Sequence, residues 1–320
     1  MSKGEAFVKE HIPDTKPAIY DNYEAVYADA NVDIIYIGTP HAFHKKNALD
    51  AIRAHKHVLC EKAFTITAAE AAEVLAAAQR EGVFVMEAMW LRFRPLVFEL
   101  RRQLFAEKVI GEVQRTFCDF GLKMDLGKLD ATSRLKNPAL GAGSLLDIGV
   151  YSLTWGLLTL DAKDGDEADE PQITGVQTLR EGIDMASTVI LKYASTGRQG
   201  VLTSSLEFQS GSTFCRIEGS EGYIEVSGLA PSVPSAFIVY CRKNADTVAD
   251  GPDGGKPKGK VFNFEQPGFG FYYEADAVAL DIEAGKLENA VMPHAETMRV
   301  MKMMDTVRAQ GGARFPQDSL

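Results

Sequence analysis

Two short clusters in this 320-residue chain carry residue types suited to moving a proton. The first is Glu61-Lys62, a carboxylate and an ammonium directly after the apolar run HVLC. The second is Asp147 and Tyr151, whose spacing of four places both side chains on one face if the segment is helical. A tyrosine near its ordinary pKa of about 10 is a poor base at neutral pH, but an ammonium beside it favours the phenolate. Such a set suits removal of a proton from a hydroxyl whose carbon gives up a hydride. Taken alone, the Asp147/Tyr151 pair fits better a capped helix with an exposed aspartate and a half-buried tyrosine.

The elements that would position these groups are legible around residues 32–62. VDIIYI is a β-branched, nearly unbroken apolar run, as expected of a parallel strand covered on both faces. Gly38-Thr39-Pro40 ends it, and His44, Ala48, Ile52 and His55 then recur at three- and four-residue spacing, which predicts an amphipathic crossover helix. HVLC is the next strand, so Glu61-Lys62 falls at the carboxyl edge of a parallel sheet, the edge where open α/β folds bind ligands. Thr67-Ala-Ala-Glu70 is a capping box for an alanine-rich helix that Gly82 stops. VFVME is a third parallel strand and delivers Trp90 and Arg92 to the same edge. Pro95 opens a further helix through Leu104, and Gly143-Ser144 begins the helix that carries Asp147 and Tyr151.

These blocks together carry a family resemblance. GTPHAFH followed by a helix and VLCEK, then MEAMWLRFRP, GAGSLLDIGVY and GFGFYYEADAV, resemble the glucose-fructose oxidoreductase-like (Gfo/Idh/MocA) family. They are most similar to its dimeric dihydrodiol dehydrogenase and fungal NADP-dependent xylose dehydrogenase branch. The resemblance implies an NADP-dependent (or NAD-dependent) oxidoreductase acting on an aldose such as D-xylose or on a trans-dihydrodiol, as a homodimer; the cysteine usage points to a cytoplasmic protein. With the chemistry above, the resemblance assigns Lys62, Tyr151 and Asp147 to catalysis: Tyr151 as acid/base, Lys62 as its electrostatic partner and a substrate-hydroxyl contact, and Asp147 as the group orienting a substrate hydroxyl. Lys62 and Tyr151 remain interchangeable in these roles. It assigns Gly38, Thr39, Pro40, His41, His44, Glu61, Lys62, Trp90 and Arg92 to the cofactor. Ala63 stands where relatives most often carry proline, so a trans bond after Lys62 is expected. The alternative is a non-catalytic or truncated oxidoreductase-like protein that binds cofactor weakly.

The fold class expected is α/β, with a Rossmann-like parallel sheet over residues 1–110 and, over 111–320, a substrate-binding and dimerisation domain built on a large, mostly antiparallel sheet. EVQRTFCDFG is expected to open this domain as a strand, and six successive strands are expected in the sheet: QITGVQTL, STVILKY, GVLTSSLEF, TFCRIEG, GYIEV and AFIVYC. The final helices are expected to pack back on the first domain. A dinucleotide domain normally opens with a strand, a glycine-rich turn and a helix; only Gly4 precedes Gly38, so the chain is expected to be N-terminally incomplete. The G-x-G pairs at Gly141/Gly143 and Gly268/Gly270 follow no buried strand and are weak candidates for a phosphate loop. The polar stretch from Asp125 to Pro138 reads as an active-site loop, and residues 242–260 as a Gly/Pro/Lys-rich excursion.

A net charge of -10 argues against a general nucleic-acid or anionic-membrane surface. Cys60, Cys118, Cys215 and Cys241 lie far apart with no C-x-x-C pair, which points to reduced thiols and neither a disulfide framework nor a metal site. No apolar run is expected to approach a membrane span.

Overall fold

The computed structural model describes residues 2–241 and 259–319; most of the glycine-rich excursion expected at 242–260 therefore lies outside the described residues. The apolar runs form a three-stranded parallel sheet of β1 (Ile34–Ile37), β2 (His57–Glu61) and β3 (Val85–Ala88), in that order. Before it come two short helices, α1 (Lys3–His11) and α2 (Tyr23–Ala28). The crossovers are α3 (His41–Arg53) and α4 (Ala68–Glu81). Helix α4 starts where Thr67 accepts the Glu70 N–H and stops at Gly82, whose φ of +63° is the left-handed cap that glycine adopts without penalty. All four residues of β3 are buried, which explains why its sequence shows no alternation.

Beyond β3, a 3-10 turn (Trp90–Phe93) leads into α5 (Pro95–Arg101), which continues as a π-helical turn to Ala106. The second sheet has eight strands: β4 (Val113–Gly121), β5 (Gln172–Arg180), β6 (Ile183–Lys192), β7 (Gln199–Ser205), β8 (Thr213–Gly219), β9 (Gly222–Ala230), β10 (Val233–Cys241) and β11 (Lys260–Asn263). Their spatial order is β11-β10-β9-β8-β4-β7-β6-β5, and only β4 and β7 run parallel. Strand β11 pairs with β10 at the end of the excursion, where glycine and lysine concealed it from the sequence reading.

Helix α6 (Val150–Leu160) lies against this sheet and is buried along its whole length. Thr159 and Thr116 hydrogen-bond at 2.8 Å, and Ser152 donates to the Thr203 carbonyl at 2.8 Å, so β4 and β7 satisfy these two polar residues of an otherwise apolar helix. Together with the turns before it, residues 138–160 reach the length and hydropathy of a membrane span, contrary to the sequence expectation. That run is a core helix, with 94% of its apolar window buried.

The last two helices are α7 (Tyr272–Glu283), which packs beside the turn after β3, and α8 (His294–Gly311), which touches both sheets. Asp305 on α8 accepts the Ala68 N–H at the start of α4 at 2.9 Å, and His294 lies 2.8 Å from the Val85 carbonyl of β3. On the side of the second sheet, Gln310 accepts the Gly175 N–H of β5 at 2.6 Å. Between them runs a buried ionic belt. Arg92 binds Glu296 and, at 2.9 Å, Asp164; Arg299 binds Asp161 at 2.8 Å; and Asp161 also accepts the Tyr193 hydroxyl at 2.7 Å.

Candidate active site

The carboxyl ends of β1 and β2 open into a cavity of about 390 Å³. One wall is Gly38, Thr39, Pro40 and His41, the turn from β1 into α3; the floor is Glu61 and Lys62 after β2; Arg134, Leu140 and Asp147 close it from the other domain. Strand length decides this: β2 ends at Glu61, so the next side chain leaves the sheet and crosses to the second domain.

Lys62 is the link. Its Nζ donates to the Asp147 carbonyl oxygen at 2.5 Å, stands 3.6 Å from the Asp147 carboxylate and lies 5.0 Å from the centre of the Tyr151 ring. Asp147 and Tyr151 do share one face, but through a π-helical turn (Leu145–Gly149) that precedes α6. That turn is capped from a neighbouring strand: Asp184 accepts Ser144 Oγ and the Leu145 N–H, both at 2.7 Å. A Cβ at Gly143 would lie 2.0 Å from an Asp184 oxygen, and one at Gly141 would lie 2.4 Å from Ile66. Both glycines, with φ of +140° and +80°, thus serve close packing at the domain junction. The Lys62–Ala63 bond is cis, against the trans expectation.

The electrostatics divide the three groups. Burial would raise the Asp147 carboxyl, but Lys62 and Arg134 outweigh it and hold it below the usual carboxylate range, so it stays ionised. Burial pushes the Tyr151 phenol well above its ordinary value, opposed by the Trp90 indole N–H, which donates to its oxygen at 2.5 Å, and reinforced by the charges of Glu61, Glu274 and Asp147. This corrects the expected lowering of the tyrosine by Lys62: the ammonium is directed at Asp147 and meets the face of the ring. Burial drives the His41 imidazole down to about 3, leaving a neutral ring, with Nδ1 3.1 Å from the Gly141 carbonyl.

Of the residues assigned to the cofactor, Gly38, Thr39, Pro40, His41, Glu61 and Lys62 line the cavity. His44 does not. It is buried behind the wall, 2.7 Å from the Thr39 carbonyl and 3.0 Å from that of Ala63, and ties the two loops together. Trp90 stands behind Tyr151 and packs on Phe271 at 4.2 Å. Arg92 is directed away from the cavity into the ionic belt. The sequence reading missed Tyr36, whose hydroxyl donates to Glu61, and Arg134, which donates to Asp147 at 3.3 Å. Arg134 comes from the polar segment read as an active-site loop; what concealed it was the lack of any local pattern that singles out one arginine there. Arg94, two residues past Arg92, was also missed.

The donor set fits the nicotinamide-ribose half of a dinucleotide. Helix α3 begins after Pro40, which offers no side-chain cap, so its first-turn N–H groups lie at the cavity wall beside Thr39 and the Glu61 carboxylate.

Comparison with known proteins supplies the family. Residues 3–89 match the model "Oxidoreductase family, NAD-binding Rossmann fold" of Gfo/Idh/MocA, and residues 98–225 match the Gfo/Idh/MocA C-terminal domain. The chain is 34% identical over 310 residues to D-xylose 1-dehydrogenase (NADP(+)) of Hypocrea jecorina, covering 93% of this chain and 78% of that one. It is 32% identical to the trans-1,2-dihydrobenzene-1,2-diol dehydrogenase of Danio rerio, covering 100% and 88%. A similar fold, with a TM-score of 0.76 at 22% identity over 97% of this chain and 86% of the other, is the aldose-aldose oxidoreductase of Caulobacter crescentus. A 3-ketoreductase of Actinomadura kijaniata, solved with NADP, gives a TM-score of 0.75 at 21% identity over 96% and 86%. The chain belongs to the Gfo/Idh/MocA oxidoreductase family.

Proposed function

We propose that this chain is an NADP-dependent dehydrogenase that oxidises a hydroxyl-bearing carbon of a small polyol, with an aldose of the D-xylose type (oxidised at C1 to the lactone) or a trans-dihydrodiol as substrate. The observation that carries the reading is the Lys62 ammonium, set at the carboxyl edge of a parallel sheet against both the Asp147 carboxylate and the Tyr151 ring. The names of the relatives support the cofactor and the two substrate classes.

Gly38, Thr39, Pro40, His41 and Glu61 hold the nicotinamide half of the cofactor, which supplies the hydride acceptor. Asp147, kept ionised by Lys62 and Arg134, accepts a hydrogen bond from a substrate hydroxyl and fixes which carbon faces the cofactor. Lys62 donates to the same or a neighbouring oxygen. Tyr151 exchanges the proton of the reacting hydroxyl: its phenol donates in the reductive direction, and its ionised form accepts in the oxidative one. Trp90 holds the Tyr151 oxygen in place. The test is the rise of reduced-nicotinamide absorbance when the full chain is mixed with NADP and either D-xylose or a trans-dihydrodiol. Turnover of one of them supports the reading, and turnover of neither removes it.

The further parts of the reading concern the assembly and its surroundings. The face of the eight-stranded sheet opposite α6 exposes Val176, Ile190 and Val261, and a second copy packed on this face would cover them. A homodimer mass by light scattering is the expected outcome. The four cysteines are free thiols, which suits the reducing conditions of the cytoplasm.

A further inference from the structure

Among the buried arginines of the described residues, Arg94 is the exception. Arg92, Arg299 and Arg308 each meet at least one carboxylate within 4.0 Å. Arg94 is as deeply buried, at 1% exposure, yet makes no ion pair among the described residues. Its Nη2 donates to the Phe269 carbonyl, its guanidinium lies 4.6 Å over the Trp90 ring, and its Nε and Nη1 have no partner. A buried cation without a counter-charge is costly unless some state of the protein supplies one.

Burial lowers the Arg94 guanidinium to about 10, and the charges that oppose this come from phenols, Tyr151 first and then Tyr273 and Tyr272. Of the three, Tyr151 is placed for proton exchange, and Trp90 connects the two residues, donating to the Tyr151 oxygen at 2.5 Å while its ring carries the guanidinium. The other charges facing Tyr151 are Lys62, 5.0 Å from its ring and directed at Asp147, and the carboxylates of Glu61, Glu274 and Asp147, all of which oppose a phenolate. Without a further cation the oxidative direction would lack a usable base.

We propose that Arg94 is the counter-charge for the ionised form of Tyr151, a positioning residue that acts through the tyrosine and the Trp90 bridge. When the phenolate takes the hydroxyl proton it becomes a neutral phenol, and Arg94 returns to its uncompensated state, so the charge pair exists only before transfer. The inference deepens the reading of Tyr151 as acid/base and rests on it.

The test places a fluorinated tyrosine at position 151, whose more acidic phenol titrates in an accessible range, and follows its fluorine resonance against pH in the full chain. Arg94→Gln and Arg94→Met should raise the titration midpoint by at least one unit, about a tenfold loss of phenolate at a given pH, while Arg94→Lys should restore most of it. The pH profile of kcat/KM should shift by the same amount, with activity recovering as pH rises. An unmoved resonance titration, or a pH profile lowered in parallel without a shift, overturns the proposal, as does failure of both neutral variants to fold, which would make Arg94 a scaffold cation. If the chain oxidises neither an aldose nor a dihydrodiol, the functional reading falls by itself, and the fluorine titration still decides the role of Arg94.

Discussion

The ionic belt behind the site and the cavity in front of it are built from the same residue types, and they differ in how completely the charges are paired. In the belt, Arg92, Arg299, Asp161 and Glu296 each have an oppositely charged partner. In the cavity, one carboxylate, Asp147, receives two cations at 3.6 and 3.3 Å, and the tyrosine beside it faces three acids that oppose its ionisation. Full pairing locks α8 to the turn after β3, whereas the unbalanced set leaves donors and acceptors for a substrate to satisfy. Charge identity in a sequence therefore says less about role than charge balance in the fold.

The comparison can be broken by substitutions on each side. Tyr151→Phe should retain the fold and lower turnover by roughly 10²–10⁴, because it removes the exchanging proton without opening a cavity. Steady-state kinetics beside circular dichroism checks both halves. On the belt side, Arg92→Met takes the nearer of two cations from the buried Glu296, leaving it Arg299 at 3.6 Å, and should cost about 3 kcal/mol of stability by denaturant titration. A smaller effect is expected at Glu274, whose carboxyl burial pushes up to about 9, with Glu61 and Glu87 adding to the shift. A raised carboxylate stabilises the fold below the unfolded pKa of about 4.3, and that contribution is lost as pH rises toward the folded value. Glu274→Gln should thus be neutral at pH 4 and stabilising at pH 8 by on the order of 2 kcal/mol, read as the difference between two melting curves. Smallest is Arg134→Gln, which leaves Lys62 to hold Asp147 and should raise KM about fivefold with kcat nearly unchanged, the loss expected of a single part-exposed pair of about 1 kcal/mol.

These contrasts explain what was legible in the sequence. The strand-helix-strand unit over β1, α3 and β2 was readable because both periods are local, and the four-residue spacing of Asp147 and Tyr151 survived the π-helical turn that carries them. Arg92 was assigned to the cofactor because nothing near it in sequence reveals Glu296, which lies 204 positions away. His44 was read as a cofactor contact, whereas its ring nitrogens sit against the Thr39 and Ala63 carbonyls. Asp184 capping the turn at Ser144 and Leu145 is likewise a contact made across 40 positions. Local patterns placed the elements; the destination of each buried charge was decided by tertiary partners.

The most direct test measures turnover and unfolding free energy together for two single variants, Lys62→Met in the cavity and Arg92→Met in the belt. The account predicts a crossed result: Lys62→Met loses turnover by roughly 10²–10⁴ and keeps its stability within about 1 kcal/mol, while Arg92→Met loses stability and keeps its turnover per folded molecule within about fivefold. Full turnover in Lys62→Met, or turnover in Arg92→Met that collapses while its stability is unchanged, would contradict the division between a site and its scaffold.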